Sequence, residues 1–418
     1  MDTQINNKIK VLSFFCMIAL LFVHNYNVSN NIQTPASFSD AKFSPIAFVE
    51  YFFSNALFRC RIPLLMAISG YLLAKSNKYS YTELISRKIQ TIIFPFIIIS
   101  CIGFLTCIIY DVIETNFYRN SNTGIFGKPL QEFTFKDAFY QIFITPTSFQ
   151  LWYLKVMFLF AVATPIIRFF CEKIPFATLS ILAILWLFTN VLGGETKDRG
   201  YIFFFIGFYL ATYNKTISKP LSFLSVKTAA LLFIALAITR TGLAFSNLHN
   251  STTVFIMILS FKLIGLFGSY TCWFAVDYLL NGYQKFSWFR NITKSSFFLF
   301  AFHAPLLTLS SMALKKYVLQ NDAQLFIAYF ILPISIALII MLIDRYVSNN
   351  FKNSYALITG GRSTDISLQK INYFSWIENI ATKQVQALKY EFRIKDQWQY
   401  LQYYTLIIGL LFYKFLQF

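Results

Sequence analysis

The residues able to do chemistry in this chain are few, and they stand in apolar surroundings. His24 closes the run "IALLFVHNY", His303 lies in "SFFLFAFHAPLL", and "FRCRIPLLMAISGYLLA" carries Arg59 and Arg61 just ahead of Pro63. Of the three histidines, His249 reads as a solvated loop residue, so His24 and His303 carry the interest. Imidazole is the natural general base near neutral pH, and such a base contributes roughly 10²- to 10⁴-fold to a proton-transfer step. The cations raise a different question. A charge deep in hydrocarbon costs about 2.5–3.5 kcal/mol even on the lenient insertion scale, and Arg59, Arg61, Lys155, Arg240 and Lys262 all fall within apolar runs. The carboxylates Glu50, Asp111, Asp277 and Asp344 lie near the ends of such runs and are too few to pair with them. Two readings stay open: the cations line a wet cavity that takes an anionic ligand, or they satisfy backbone carbonyls between helices.

Residues i and i+2 of a regular helix point about 200° apart, so Arg59 and Arg61 can serve one cavity only if the helix is broken. Pro63 is the expected cause, since it offers no N–H to the carbonyl four residues back. Opened backbone survives in a membrane only where protein buries it or water reaches it. Ser69 and Gly70 are small enough to let a neighbouring helix approach. In "LWYLKVMFLF", Trp152 and Tyr153 read either as part of an interfacial aromatic belt or as a platform on which a sugar stacks.

The elements that must hold these residues are transmembrane helices. Of the 418 residues, 56% are hydrophobic, 19% aromatic and only 13% charged, which excludes an ordinary soluble globule. Apolar runs of close to the ~20 residues needed to cross a bilayer recur from 11–28 to 325–344. They predict an all-α, polytopic transmembrane bundle of about ten core helices, with 401–418 as an eleventh. The net charge of +18 suggests nucleic acid at first sight. Alternating the runs from a cytoplasmic N-terminus instead gathers most Lys and Arg on the inner side, as topology demands, so no nucleic-acid partner is expected. The division is a membrane-embedded domain over 1–347, a basic cytoplasmic or interfacial segment over 348–400, and the last run. The outer loop 114–148 is long enough to cover a site. The six cysteines show no metal or disulfide spacing and read as buried small hydrophobes; no metal site is expected. "ITGGRSTD", with Gly360 and Gly361, lacks the spacing of a phosphate loop and reads as a turn.

In order and spacing these segments resemble acyltransferase family 3, integral membrane proteins that acylate bacterial surface glycans. The likeness runs over about residues 8–345: "IALLFVHNY", "RCRIPLLMAISGYLLA", "SRKIQTIIFPF", "LWYL", "YIFFFIGFYLATY" and "SFFLFAFHAPLL" follow one another. The resemblance implies an inner-membrane enzyme that moves an acyl group, commonly acetyl, from cytoplasmic acyl-CoA to a hydroxyl of a surface glycan or its lipid-linked precursor. Acyl-CoA would be a co-substrate, with no bound cofactor. It assigns His24 as the essential base, and Arg59, Arg61, Arg87 and Lys88 to the acyl donor or the oxyanion. Lys155, Arg240, Lys262, Trp152, Tyr153 and His303 remain candidates to line the substrate cavity. Two departures stand out: Ser13 occupies a position where many members carry arginine, and the expected arginine pair after the second helix is here Arg87-Lys88-Ile89-Gln90. A different class, a carrier for an anionic lipid-linked saccharide, would also want buried cations and a broken helix.

Overall fold

The computed structural model describes residues 3–25, 38, 43–76, 79–118, 132–188, 200–215, 219–246, 248–318 and 321–362. These form a helical bundle, with no strand among the described residues. Seven helices are long and apolar enough to span a membrane: α1 (Thr3–Asn25), α2 (Pro45–Ala74), α3 (Tyr81–Ile113), and four more further along the chain. After α3 come α4 (Trp152–Val162) and α5 (Thr164–Lys173), which together with the turn from Phe149 make an eighth span bent by 64°. Next are α6 (Pro175–Phe188) and α7 (Tyr201–Thr212), apolar but short. The remaining full-length helices are α8 (Val226–Ala244), α9 (Ser251–Ala275), α12 (Ser296–Tyr317) and α13 (Asp322–Asn350). Between α9 and α12 lie α10 (Asp277–Lys285) and α11 (Ser287–Lys294), both amphipathic; α14 (Lys352–Thr359) follows α13. The C-terminal run 401–418 and most of the basic segment fall outside the described residues.

The second helix is broken, but upstream of the proline. Residues Phe52–Ala56 form a π-helical turn and Leu57–Cys60 a tighter 3₁₀ turn, with Ala56 twisted to φ −119°, ψ −76°. Regular α-helix resumes at Arg61, so Pro63 lies in its first turn, where a missing N–H leaves no bond unmade. The switch from a wide to a tight turn frees main-chain carbonyls in the interior, and side chains take them. Arg240 Nε donates to Asn55 O at 3.0 Å, Arg61 to Phe58 O at 2.9 Å, Ser269 Oγ to Cys60 O at 3.2 Å, and the Cys60 thiol to Leu57 O. Arg59 donates to the side-chain oxygen of Asn55. The break is therefore fully backed by protein, which is the condition for irregular backbone at membrane depth.

Packing around the second half of α2 depends on two glycines facing each other's backbone. A Cβ on Gly70 would lie 1.9 Å from Phe204 O of α7, and one on Gly207 would lie 1.9 Å from Ala67 O of α2. Small residues let membrane helices approach closely where no hydrophobic force drives them together. Phe160 stacks on Phe204 at 3.8 Å and ties α4 to the same unit. Near the start of α1, Lys8 pairs with Asp277 at 2.8 Å and lies 4.8 Å over the Trp273 ring. Since backbone cannot yield as a flexible side chain can, Gly70→Ala should cost at least about 1–3 kcal/mol. Thermal denaturation in detergent should show a clearly lower midpoint, and an unchanged midpoint would refute the close approach.

Candidate functional site

His24 and His303 meet. α1 and α12 pack side by side, and the two imidazoles stack with centroids 5.4 Å apart and planes 22° apart. The His303 ring is fully buried, and its Nδ1 lies 2.9 Å from Leu299 O and 3.0 Å from Phe300 O. Both neighbours are acceptors, so Nδ1 carries the proton and Nε2 is left as a buried lone pair with no protein partner. A buried acceptor without a partner costs about 1–3 kcal/mol, and such atoms call for a functional account. His24, partly buried, makes ring contacts and no protein hydrogen bond among the described residues. Its nitrogens are open to a substrate.

Two prolines fix this pair in place. Pro305 cannot bond the carbonyl four residues back, Ala301 O, and Gln150 Nε2 takes that carbonyl at 2.8 Å. Pro333 likewise frees Tyr329 O, and Asn25 Nδ2 takes it at 3.1 Å. Asn25 adjoins His24; Gln150 adjoins Phe149, whose ring lies edge-on to His24 at 4.6 Å. A further link comes from Tyr329, whose hydroxyl donates to Ser54 Oγ at 2.7 Å while Ser54 donates to Phe22 O at 3.1 Å. The end of α1 is thus held by α2, by α13 and, through Phe149, by the entry to α4.

The cations divide. Arg61 is buried, donates to Phe58 O and acts electrostatically on both imidazoles, and Arg59 acts on His24. Arg59 also lines a small cleft of about 40 Å³ with Pro63, Trp186, Phe261 and Lys262. That is room for a few waters at most, not for a sugar. Lys262 donates to Trp186 O on one wall of the cleft. Arg240 is elsewhere: fully buried, it spends its donors on Asn55 O and on Met257 O at 2.8 Å, so it supports the break in α2 and lines no substrate cavity. Lys155 likewise spends its charge on carbonyls. Its ammonium donates to Phe143 O at 3.0 Å and Ile144 O at 2.7 Å, pinning the loop that leads to Phe149.

Trp152 and Tyr153 do not form an outward platform for a sugar. Tyr153 turns into the bundle, donating to Leu65 O at 3.1 Å and receiving the Ser69 hydroxyl at 2.6 Å, while Trp152 packs edge-on against it. Ser69 is accordingly a structural donor and Gly70 a contact point. Arg87 and Lys88 part company: the Arg87 guanidinium stacks 4.0 Å over Tyr79, whereas Lys88 lies within electrostatic reach of Arg362. Asn25 and Gln150 escaped the sequence reading, although Pro305 and Pro333 inside apolar runs were the signal that carbonyls needed donors from elsewhere.

Seven spanning helices, a broken second helix and a histidine pair where α1 ends define a multi-pass membrane protein with a candidate group-transfer centre. Residues 6–343 match the acyltransferase domain of acyltransferase family 3, and the chain belongs to that family: it is a membrane acyltransferase. It is 23% identical over 367 residues to the succinoglycan biosynthesis protein ExoH of Rhizobium meliloti (strain 1021), covering 87% of this chain and 94% of that protein. No solved structure matches it significantly.

Two substitutions test these placements. Pro63→Ala should leave the break intact and keep acyl transfer within about threefold, its stability change staying below about 1.5 kcal/mol; loss of activity would return the break to the proline. Lys155→Ala should lower the cost of opening residues 140–144 by about 1.5–3 kcal/mol, the worth of a charge-assisted hydrogen bond. Hydrogen exchange on that segment is the measurement, and unaltered protection would show that Lys155 does not anchor it.

Proposed function

We propose that the protein O-acylates a glycan hydroxyl, taking the acyl group from acyl-CoA with His24 as general base. The observation that carries this reading is the stacked His24–His303 pair, with His24 making no protein hydrogen bond among the described residues, in a chain of the acyltransferase family. The basic end of the bundle, with Lys8, Arg87 and Lys88, faces the cytoplasm in keeping with the positive-inside rule. His24 then lies about 24 Å further along α1, sixteen residues from Lys8, in the outer half of the membrane. This orientation has the N-terminus inside, and the family likeness supports the inner membrane as its place. A relative whose name places it in the biosynthesis of a polysaccharide supports a glycan, or its lipid-linked precursor, as acceptor.

The chemistry runs as follows. The acceptor hydroxyl, held by the Nε2 lone pair of His303 or by His24 itself, attacks the thioester carbonyl carbon as His24 takes its proton. A C–O bond forms, the C–S bond breaks, and His24 returns the proton to the departing thiolate, giving the ester and free CoA. Negative charge develops on the carbonyl oxygen between these events and needs a fixed donor. Arg61 suits this better than Arg59, because it acts electrostatically on both imidazoles whereas Arg59 acts on His24 alone. An acetyl group is the expected cargo.

His24→Ala should lower acyl transfer by about 10²- to 10⁴-fold, measured as label moved from acetyl-CoA to glycan in membranes, with export of the glycan unchanged. Retained transfer would overturn the assignment of the base. Lost export with transfer retained would favour a carrier of lipid-linked saccharide.

A further inference from the structure

The segment "ITGGRSTD", set aside as a turn, lies beyond the residues that match the family and returns the chain to the bundle. α14 ends at Thr359, and Gly360 and Gly361 follow with φ of 64° and 70°. These are left-handed values that favour glycine, and the Gly361 N–H closes the turn on Ala356 O at 2.8 Å. Space demands glycine as well: a Cβ on Gly360 would lie 2.7 Å from Thr91 Cα and 2.8 Å from Thr91 O, both backbone atoms of the π-helical turn Ile89–Ile93 in α3. α14 itself is clamped by a buried carboxylate. Asp344 accepts the Tyr355 hydroxyl at 2.7 Å and the Ser295 hydroxyl at 2.6 Å, fastening α14 to α13 and to the start of α12.

What this rigid arrangement delivers is Arg362. Its guanidinium lies 4.2 Å over the Phe297 ring and donates once, to Thr359 O at 3.1 Å. Capping α14 uses one of its five N–H groups. Arg362 keeps solvent access, yet the surrounding protein desolvates it enough to lower its pKa from the usual arginine value to about 10. Lys88 is close enough to repel it, and among the described residues neither has a carboxylate partner. Two cations brought together without an acid describe a seat for a multivalent anion.

Arg362 is linked to the histidines through the packed rings of α12. Phe297, Phe300 and His303 follow at three-residue steps along α12, about 9 Å of rise in all. Phe297 and Phe300 lie 6.1 Å apart, Phe300 also meets Tyr153 at 6.0 Å, and His303 stacks on His24. A ligand that served both ends would carry phosphate groups at one end and a reactive carbonyl on a slender arm at the other.

We propose that Arg362, presented by the Gly360–Gly361 turn and acting with Lys88, binds the phosphate groups of the nucleotide-borne thioester donor. This rests on the acyl-CoA reading above. The test measures binding of unacylated CoA to the purified full-length protein in neutral detergent, where turnover plays no part. Arg362→Ala should weaken binding about tenfold and flatten its dependence on salt, Arg362→Lys should restore most of both, and Gly360→Ala, which keeps the arginine but displaces its turn, should mimic the alanine variant. Thermal midpoints close to wild type for Arg362→Ala would establish that the loss is local. If wild type binds CoA and Arg362→Ala binds it equally well, the role of Arg362 falls while the donor reading stands; if wild type binds no CoA, both fall. Nanodiscs with and without phosphatidylglycerol separate the other source of phosphate: a substitution that weakens only retention of the anionic lipid would make this a headgroup site and overturn the proposal.

Discussion

Main-chain carbonyls that a helix cannot satisfy are the constraint from which the rest of this structure follows. In hydrocarbon an unpaired carbonyl has no water to turn to, so places where α2, α12 and α13 depart from regular bonding are met by side-chain donors. The wide-then-tight turn at 52–60 draws Arg240 from α8, Ser269 from α9 and Arg61 from its own chain. Pro305 draws Gln150, and Pro333 draws Asn25. These donors act as interhelical struts, and the histidine pair lies among them. Most of the buried cations are thereby explained as partners of oxygen dipoles rather than of carboxylates.

This also accounts for the separation of tasks within the cluster. Arg240 and Lys155 have their donors committed to carbonyls and hold shape. Arg61 Nε and His303 Nε2 are left without a partner among the described residues. A site of this kind is held from outside, by helices whose positions are fixed elsewhere, which leaves its reactive atoms free for substrate. The Gly70–Gly207 contact does the same for α2 as a whole: with α7 against its second half, the register of Arg59 and Arg61 relative to α1 cannot drift.

A good part of this was legible in the chain. Scarcity picked out His24 and His303, apolar length gave the all-α membrane bundle, and the small pair Ser69-Gly70 pointed to a close neighbour. The errors have a common physical origin. Proline rules say where a helical bond is missing, not where the backbone yields, so Pro63 attracted the break that belongs to residues 52–60. Carbonyl acceptors are present at every position and carry no side-chain signature, so the partners of Arg240 and Lys155 could be posed as a possibility but not located. Tyr153 read as facing outward because a one-dimensional run does not show which flank of a helix is buried.

The proline clamps beside the histidines have an implication for how such a chain can change over time. At both clamps the accepting atom is main-chain, so the side chains of Ala301 and Tyr329 contribute nothing to that particular bond. The dependence falls instead on Pro305 and Pro333, one turn away, and on the amides of Asn25 and Gln150 that reach across. Covariation at these clamps would link an amide on one helix with a proline on another that it does not touch, and a search confined to direct neighbours would pass over the pairs that keep the site in register.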